Sequence, residues 1–185
     1  MSARREGWTK LTVDGYFRTP ETLRPQELVY GVVREPAAPR YRHQFVVTHL
    51  TALLDRHVRE RSLGQVCASP IDVVLDRDAA LVVQPDIVFI GAHRLDLVQE
   101  RIWGAPDLAV EVLSRGTARR DRTTKLAWYA RYGVAECWLV DITHRFVEVV
   151  DLRETPSRWT RFGGEGTMRS VVLPEWNVTP EEILS

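Results

Sequence analysis

Cysteine is almost absent from this chain of 185 residues. The two that occur, Cys67 and Cys137, stand apart, with no CxxC pair and no Cys/His spacing around them. That argues against a disulfide framework and against a zinc site. Both lie in apolar, strand-like runs, so packing is their expected role. Net charge is missing too, because 25 Lys and Arg balance 25 Asp and Glu. A protein that coats nucleic acid through bulk charge is usually basic, so any basic contact surface here must be local. No apolar run approaches the roughly 18–20 residues of a membrane-spanning helix. Arg4 and Arg5 are followed by no apolar segment, so the start of the chain does not read as a secretory signal, and a cytoplasmic location is the expectation. Internal repeats, low-complexity tracts and long linkers are absent as well.

What is present is globular: 44% of residues are hydrophobic and six are Trp, which excludes global disorder. One domain over residues 1–185 follows, with a core over about residues 12–151 and a short C-terminal extension. Thr12 to Thr19 reads as a short capped helix, and Glu27 to Arg34 as a first strand. Arg42 to Arg59 is an amphipathic helix, with Val46, Val47, Leu50, Leu53, Leu54 and Val58 at helical spacing. Strands are expected at Gln65–Ala68, Ile71–Leu75, Leu81–Val83, Asp86–Ile90 and Leu108–Leu113, with residues 91–106 irregular apart from one helical turn. Ser114 or Thr117 should cap a helix over Arg119–Tyr132, ended by Gly133. Glu136–Asp141 and Phe146–Asp151 form a hairpin; Trp159–Phe162 and Ser170–Leu173 read as edge strands, and Thr179–Leu184 as a last helical turn. This order predicts an α/β domain, a mixed β-sheet flanked by α-helices.

The chemistry concentrates in three places. Asp86 and Glu111 each interrupt an apolar run, twenty-five residues apart, and Lys125 follows Glu111 by fourteen. Burying an ionised carboxylate costs several kcal/mol unless it is paired or binds a metal. A hard-cation site that cuts phosphodiesters explains two such residues beside a lysine. The plainer alternatives are a turn or cap role for Asp86, a structural salt bridge from Glu111 to Arg115 or Lys125, and an i,i+4 pair of Lys125 with Asp121. Arg119, Arg120 and Arg122, with Arg115 just upstream, crowd the N-terminus of the Lys125 helix against its dipole. An anion docked at that end accounts for them, which makes all four candidate phosphate contacts; a solvated patch is the alternative. His43 opens its helix on the face of Val46, Val47 and Leu50, either as a buried hydrogen-bonding residue or as part of a site. Trp128 and Tyr129 read as helix core ahead of base stacking.

The stretch Gly104-Ala105-Pro106-Asp107-Leu108-Ala109-Val110-Glu111-Val112-Leu113-Ser114, then Thr117, Arg120-Asp121, Lys125-Leu126, Tyr129 and residues 133–141, resembles the Uma2 family, also known as DUF820. Gln84-Pro85-Asp86-Ile87 matches its PD motif, Glu27-Leu28-Val29-Tyr30-Gly31 its early strand, and His43 its helix-opening histidine. The resemblance implies the PD-(D/E)XK, or restriction-endonuclease-like, fold and metal-dependent cleavage of nucleic acid. It implies Asp86 and Glu111 as metal-binding carboxylates, with Lys125 as the catalytic lysine moved to a helix, since Leu113 stands where the strand lysine would be. Val32 departs from the family, which has an acidic residue at that place; Glu27 is left to reach the site, with His43 in support. Carboxylate oxygens suit Mg²⁺ or Mn²⁺, and the carbonyl of Val112 is the expected third oxygen. The expected substrate is nucleic acid, DNA ahead of RNA, and the free edge of the Glu136–Asp151 hairpin suggests a homodimer. A non-catalytic binding or interaction module on the same fold is the alternative.

Overall fold

The computed structural model describes residues 10–20, 22, 24–114 and 116–185. The start of the chain, with Arg4 and Arg5, and Arg115 lie outside the described residues.

The apolar runs form two sheets. The larger has six strands in the order β11-β10-β9-β8-β6-β3. These are β3 (Gly64–Ala68), β6 (Ile87–Gly91), β8 (Leu108–Leu113), β9 (Glu136–Asp141), β10 (Phe146–Asp151) and β11 (Arg158–Gly163). Only β8 and β9 run parallel; the remaining pairs are antiparallel, so the sheet is mixed. The smaller sheet joins β1 (Glu27–Val29), β2 (Val32–Arg34), β4 (Val73–Asp76), β5 (Leu81–Val83) and β7 (Ile102–Trp103).

Strand alternation divides the core. From β8 and β9, Ala109, Leu113, Cys137 and Leu139 face a cluster that includes Val29, Val83, Leu126 and Tyr129. Val110, Val112, Trp138 and Val140 face the opposite cluster, built on Val46, Leu50, Leu54 and Val58 of α2 (Tyr41–Glu60). Because both faces are covered, β8 and β9 carry nearly continuous apolar sequence. Burial of each such Leu or Val contributes roughly 1.5–3 kcal/mol. The C-terminal extension closes the α2 side with Met168, Leu173, Trp176 and Ile183.

Several expectations need correction. Glu27–Arg34 is a hairpin, because Tyr30 and Gly31 both take positive φ, +50° and +85°, and turn the chain back. Ser170–Leu173 is irregular: the Ser170 hydroxyl accepts from the N–H groups of Val172 and Leu173, and Glu136 takes the N–H of Val171. Those bonds replace a sheet ladder. The Glu136–Asp151 hairpin has no free edge, since β11 pairs with β10 along its whole length. Cys67 is exposed and so does not pack, whereas Cys137 is buried. Within residues 91–106 the expected helical turn is a 3₁₀ helix over 92–97, but Ile102–Trp103 pairs as strand β7. The helix after β8 is not uniform either. It runs as α3 (Ala118–Arg120), a π-helical turn over Asp121–Lys125, and α4 (Leu126–Tyr132), ended by Gly133 at φ +91°. Short helices α1 (Val13–Phe17) and α5 (Pro180–Leu184) complete the fold, each capped by a threonine side chain.

Candidate active site

Glu111 sits mid-strand in β8, on the face that looks toward α4. Its carboxylate is buried and fully engaged. Lys125 donates to Oε1 at 2.8 Å and to Oε2 at 3.0 Å, and the Tyr129 hydroxyl donates to Oε1. Burial pushes the Glu111 carboxyl up to about 8; Lys125 opposes the rise, while Asp121 and Asp86 add to it.

Lys125 is the hub. Its ammonium also lies 3.1 Å from Oε1 of Glu27, at the start of β1 in the smaller sheet. One buried cation thus ties the two sheets together. Burial alone would lower its pKa, yet Glu111, Glu27 and Asp121 outweigh this and hold it above the ordinary lysine range. Glu27 shows the complementary effect. Burial would raise it, but Lys125 and Arg120 hold it below the usual carboxylate range. Arg120 approaches Oε2 of Glu27 at 2.6 Å and packs over the ring of Trp128. Asp121 is buried beside Lys125; burial raises its pKa, partly offset by Lys125 and by a hydrogen bond from Thr117. The Ser114 and Thr117 hydroxyls lie 3.0 Å apart and bond each other, and Thr117, at the N-cap of α3, makes no side-chain cap bond.

Asp86 lies one residue before β6 and is the open side of the cluster. Its side chain keeps 20% exposure against 4% for Glu111, so the cluster meets solvent at Asp86. The N–H of Val112 donates to Asp86 Oδ2 at 2.7 Å. Nε2 of His43, from the first turn of α2, stands 3.3 Å from the same oxygen. Burial would lower the His43 pKa; hydrogen bonds to Asp86, Gln44 and the Val112 backbone raise it.

Asp86, Glu111, Val112, Lys125, Glu27 and His43 therefore converge. The helix arginines disperse. Arg122 pairs with Asp141 and Glu148, and Arg120 with Glu27, whereas Arg119 is exposed and, among the described residues, forms no ion pair. Val32 is exposed on β2, so the carboxylate that the first hairpin brings to the cluster is Glu27. Asp121 and the Tyr129 hydroxyl are the participants that sequence reasoning missed. Their helical spacing from Lys125 was visible, but that they face Glu111 was not.

The Uma2 family model, described as "Putative restriction endonuclease", matches residues 13–181. The chain belongs to the Uma2 family. Among solved structures, it is similar to one described as a "putative nuclease belonging to DUF820" from Anabaena variabilis ATCC 29413. The TM-score is 0.79 at 16% identity, covering 94% of this chain and 97% of that one. This likeness gives the Uma2 chain its fold class, mixed sheets flanked by helices. No curated protein matches the sequence. Among the described residues of this Uma2 protein, no helix is long and apolar enough to cross a membrane.

The donor set bears on a metal. Among the described residues, no three His, Cys, Asp or Glu side chains stand together as a ready cage. Four carboxylates, Glu27, Asp86, Glu111 and Asp121, nevertheless crowd two permanent cations, Lys125 and Arg120. Carboxylate oxygens of this kind suit Mg²⁺ or Mn²⁺, which bind through one or two carboxylates and keep several waters, and a bound cation would favour the ionised form of Glu111 that burial opposes.

Proposed function

We propose that this protein is a metal-dependent nuclease that hydrolyses phosphodiester bonds in DNA. The observation that carries the reading is the convergence of Asp86, Glu111 and Lys125 from a strand entrance, a strand and a helix. The family description supports DNA as substrate. Asp86 and Glu111 would hold Mg²⁺ or Mn²⁺, with the Val112 backbone beside them. The bound ion would supply an acidified water and offset charge on the phosphate.

The chain's own residues do the rest. Lys125 carries a fixed positive charge in a dry site, where it is worth more than in water and suits the charge that develops on phosphate. Glu27 and Tyr129 hold Lys125 and Glu111 in place. His43 orients Asp86 through its Oδ2. Arg119, exposed at the start of the helix, is the arginine free to meet a flanking phosphate.

A second reading, a non-catalytic nucleic-acid-binding module on the same fold, is favoured by one observation. Both Glu111 oxygens already accept hydrogen bonds, from Lys125 and Tyr129. Cleavage assays separate the two. Purified protein with Mg²⁺ or Mn²⁺ should cut DNA, lose the activity in EDTA, and lose it in Asp86→Asn and Glu111→Gln. Binding without turnover under every divalent ion, unchanged in Glu111→Gln, would establish the second reading instead.

A further inference from the structure

Helix α2 carries an exposed aromatic stripe that the cluster around Glu111 does not use. Tyr41, Phe45 and His49 recur every four residues, so they share one face. Tyr41 is 83% exposed and Phe45 37%. The Tyr41 and Phe45 rings lie 6.2 Å apart, and those of Phe45 and His49 lie 6.1 Å apart and within 2° of parallel. The guanidinium of Arg42 stands 5.5 Å from the Phe45 ring centre. Leaving such rings in water on a rigid helix of twenty residues forgoes the burial that aromatic side chains normally gain.

Charge narrows the choice of occupant. Between Glu35 and Asp55 the sequence has no carboxylate, only Arg40, Arg42, His43 and His49 among ionisable residues besides Tyr41. On α5, which meets the stripe, Glu181 pairs with Arg145 and the Glu182 carboxylate closes the capping box with Thr179, while the backbone carbonyls of Glu182 and Leu184 bond His49 Nε2, at 2.9 Å, and Arg42. Aromatic rings interleaved with cations and free of acids suit a polyanion with flat apolar faces. That is the description of an unpaired nucleic-acid strand. The stripe occupies the solvent side of α2, across the helix from His43, which faces the core and Asp86.

We propose that Tyr41 and Phe45, with His49 stacked behind Phe45, form a stacking ladder for the unpaired bases of a single strand of DNA. The substrate class is then single-stranded or locally opened nucleic acid. This rests on the nuclease reading for its choice of nucleic acid, although the binding it predicts is measured without turnover. A duplex would present its phosphates to Arg40 and Arg42 but keep its bases stacked on one another, out of reach of the rings.

The test is fluorescence anisotropy of the full chain in EDTA, with a labelled oligothymidine of about 12 nucleotides and a duplex of equal length. The double variant Tyr41→Ala/Phe45→Ala should weaken single-strand binding by at least about tenfold and leave duplex binding within about twofold. Tyr41→Phe/Phe45→Tyr, which keeps both rings, should restore it. Unchanged single-strand affinity in a folded alanine variant overturns the ladder. So does a wild-type dimer in sedimentation that the alanine variant dissolves, because the stripe is then a contact between copies. If wild-type protein cuts DNA with Mg²⁺ while the alanine variant binds single strands normally, the ladder fails and the nuclease stands. If the variant loses single-strand binding but no divalent ion supports cutting by wild type, the ladder stands and the nuclease reading fails.

Discussion

The ammonium of Lys125 meets both oxygens of Glu111, at 2.8 and 3.0 Å, across fourteen residues of chain and a π-helical turn. The wider turn over Asp121–Lys125 inserts an extra residue into the helix, and Lys125 closes it as a buried side chain. A lysine that the strand does not carry at Leu113 thus reaches the strand's glutamate from the helix packed on it.

Lys125 holds Glu111 and Glu27 together, so its loss should be felt in folding as well as chemistry. Lys125→Met leaves buried Glu111 without a cation and Glu27 with Arg120 alone. We expect a destabilisation of about 3–5 kcal/mol, read from urea denaturation. A loss below about 1 kcal/mol, the value of a surface ion pair, would mean that the site is far wetter than the burial of Lys125 implies.

The raised Glu111 carboxyl gives stability a pH dependence of known sign. Folding lifts it from 4.5 to about 8, so between those values the folded state holds a proton that the unfolded chain has released. Its contribution is therefore fully present below pH 4.5 and declines as pH rises toward 8, by at most about 1.4 kcal/mol per pH unit. Glu111→Gln cannot titrate. The stability difference between wild type and this variant should shift against wild type from pH 5 to pH 8, and a flat difference would contradict the shift.

Gly31 fixes the hairpin that delivers Glu27. At φ +85° an added Cβ would lie 2.8 Å from Cβ of Lys10 and 3.0 Å from the carbonyl of Leu11. Gly31→Ala should cost more than about 1 kcal/mol, seen as a lower denaturation midpoint with unchanged slope.

The C-terminal extension is pinned by Glu136, buried at the start of β9. Its carboxylate accepts from Trp138 Nε1 and from the Ser170 hydroxyl, both at 2.6 Å, and from the Val171 N–H at 2.5 Å. Ser170→Ala removes one of these donors and the acceptor that shapes the turn to Leu173. A loss of about 1–3 kcal/mol is expected in thermal or urea unfolding. Wild-type stability would mean that the turn holds without its hydroxyl.

What the sequence discloses depends on how local each signal is. Leu108–Leu113, Glu136–Asp141 and Phe146–Asp151 are runs dominated by apolar residues, and all three strands occupy those bounds. Gly133 stops its helix for a local steric reason. The first hairpin was hidden because Tyr30 takes a left-handed conformation that ordinarily marks Asn or Gly, so one strand and two strands read alike. The partition into two sheets was hidden as well, since pairing is a long-range choice. The same holds for charge. Arg120 and Arg122 look unopposed along the helix, but their partners Glu27, Asp141 and Glu148 lie far off in sequence. Asp86, Glu111 and Lys125 were legible as a set; the π-turn that seats Lys125 was not, since Asp-Arg-Thr-Thr-Lys carries no mark that separates it from an ordinary helix.

The most direct measurement is the rate of Mg²⁺-dependent DNA cleavage by folded Lys125→Met, with Leu113→Lys/Lys125→Met beside it. Leu113 shares the Glu111 face of β8, so a lysine there is offered to the same carboxylates. The account predicts that Lys125→Met falls at least about a hundredfold below wild type and that the double variant recovers part of the loss. Cleavage by Lys125→Met at the wild-type rate would contradict it.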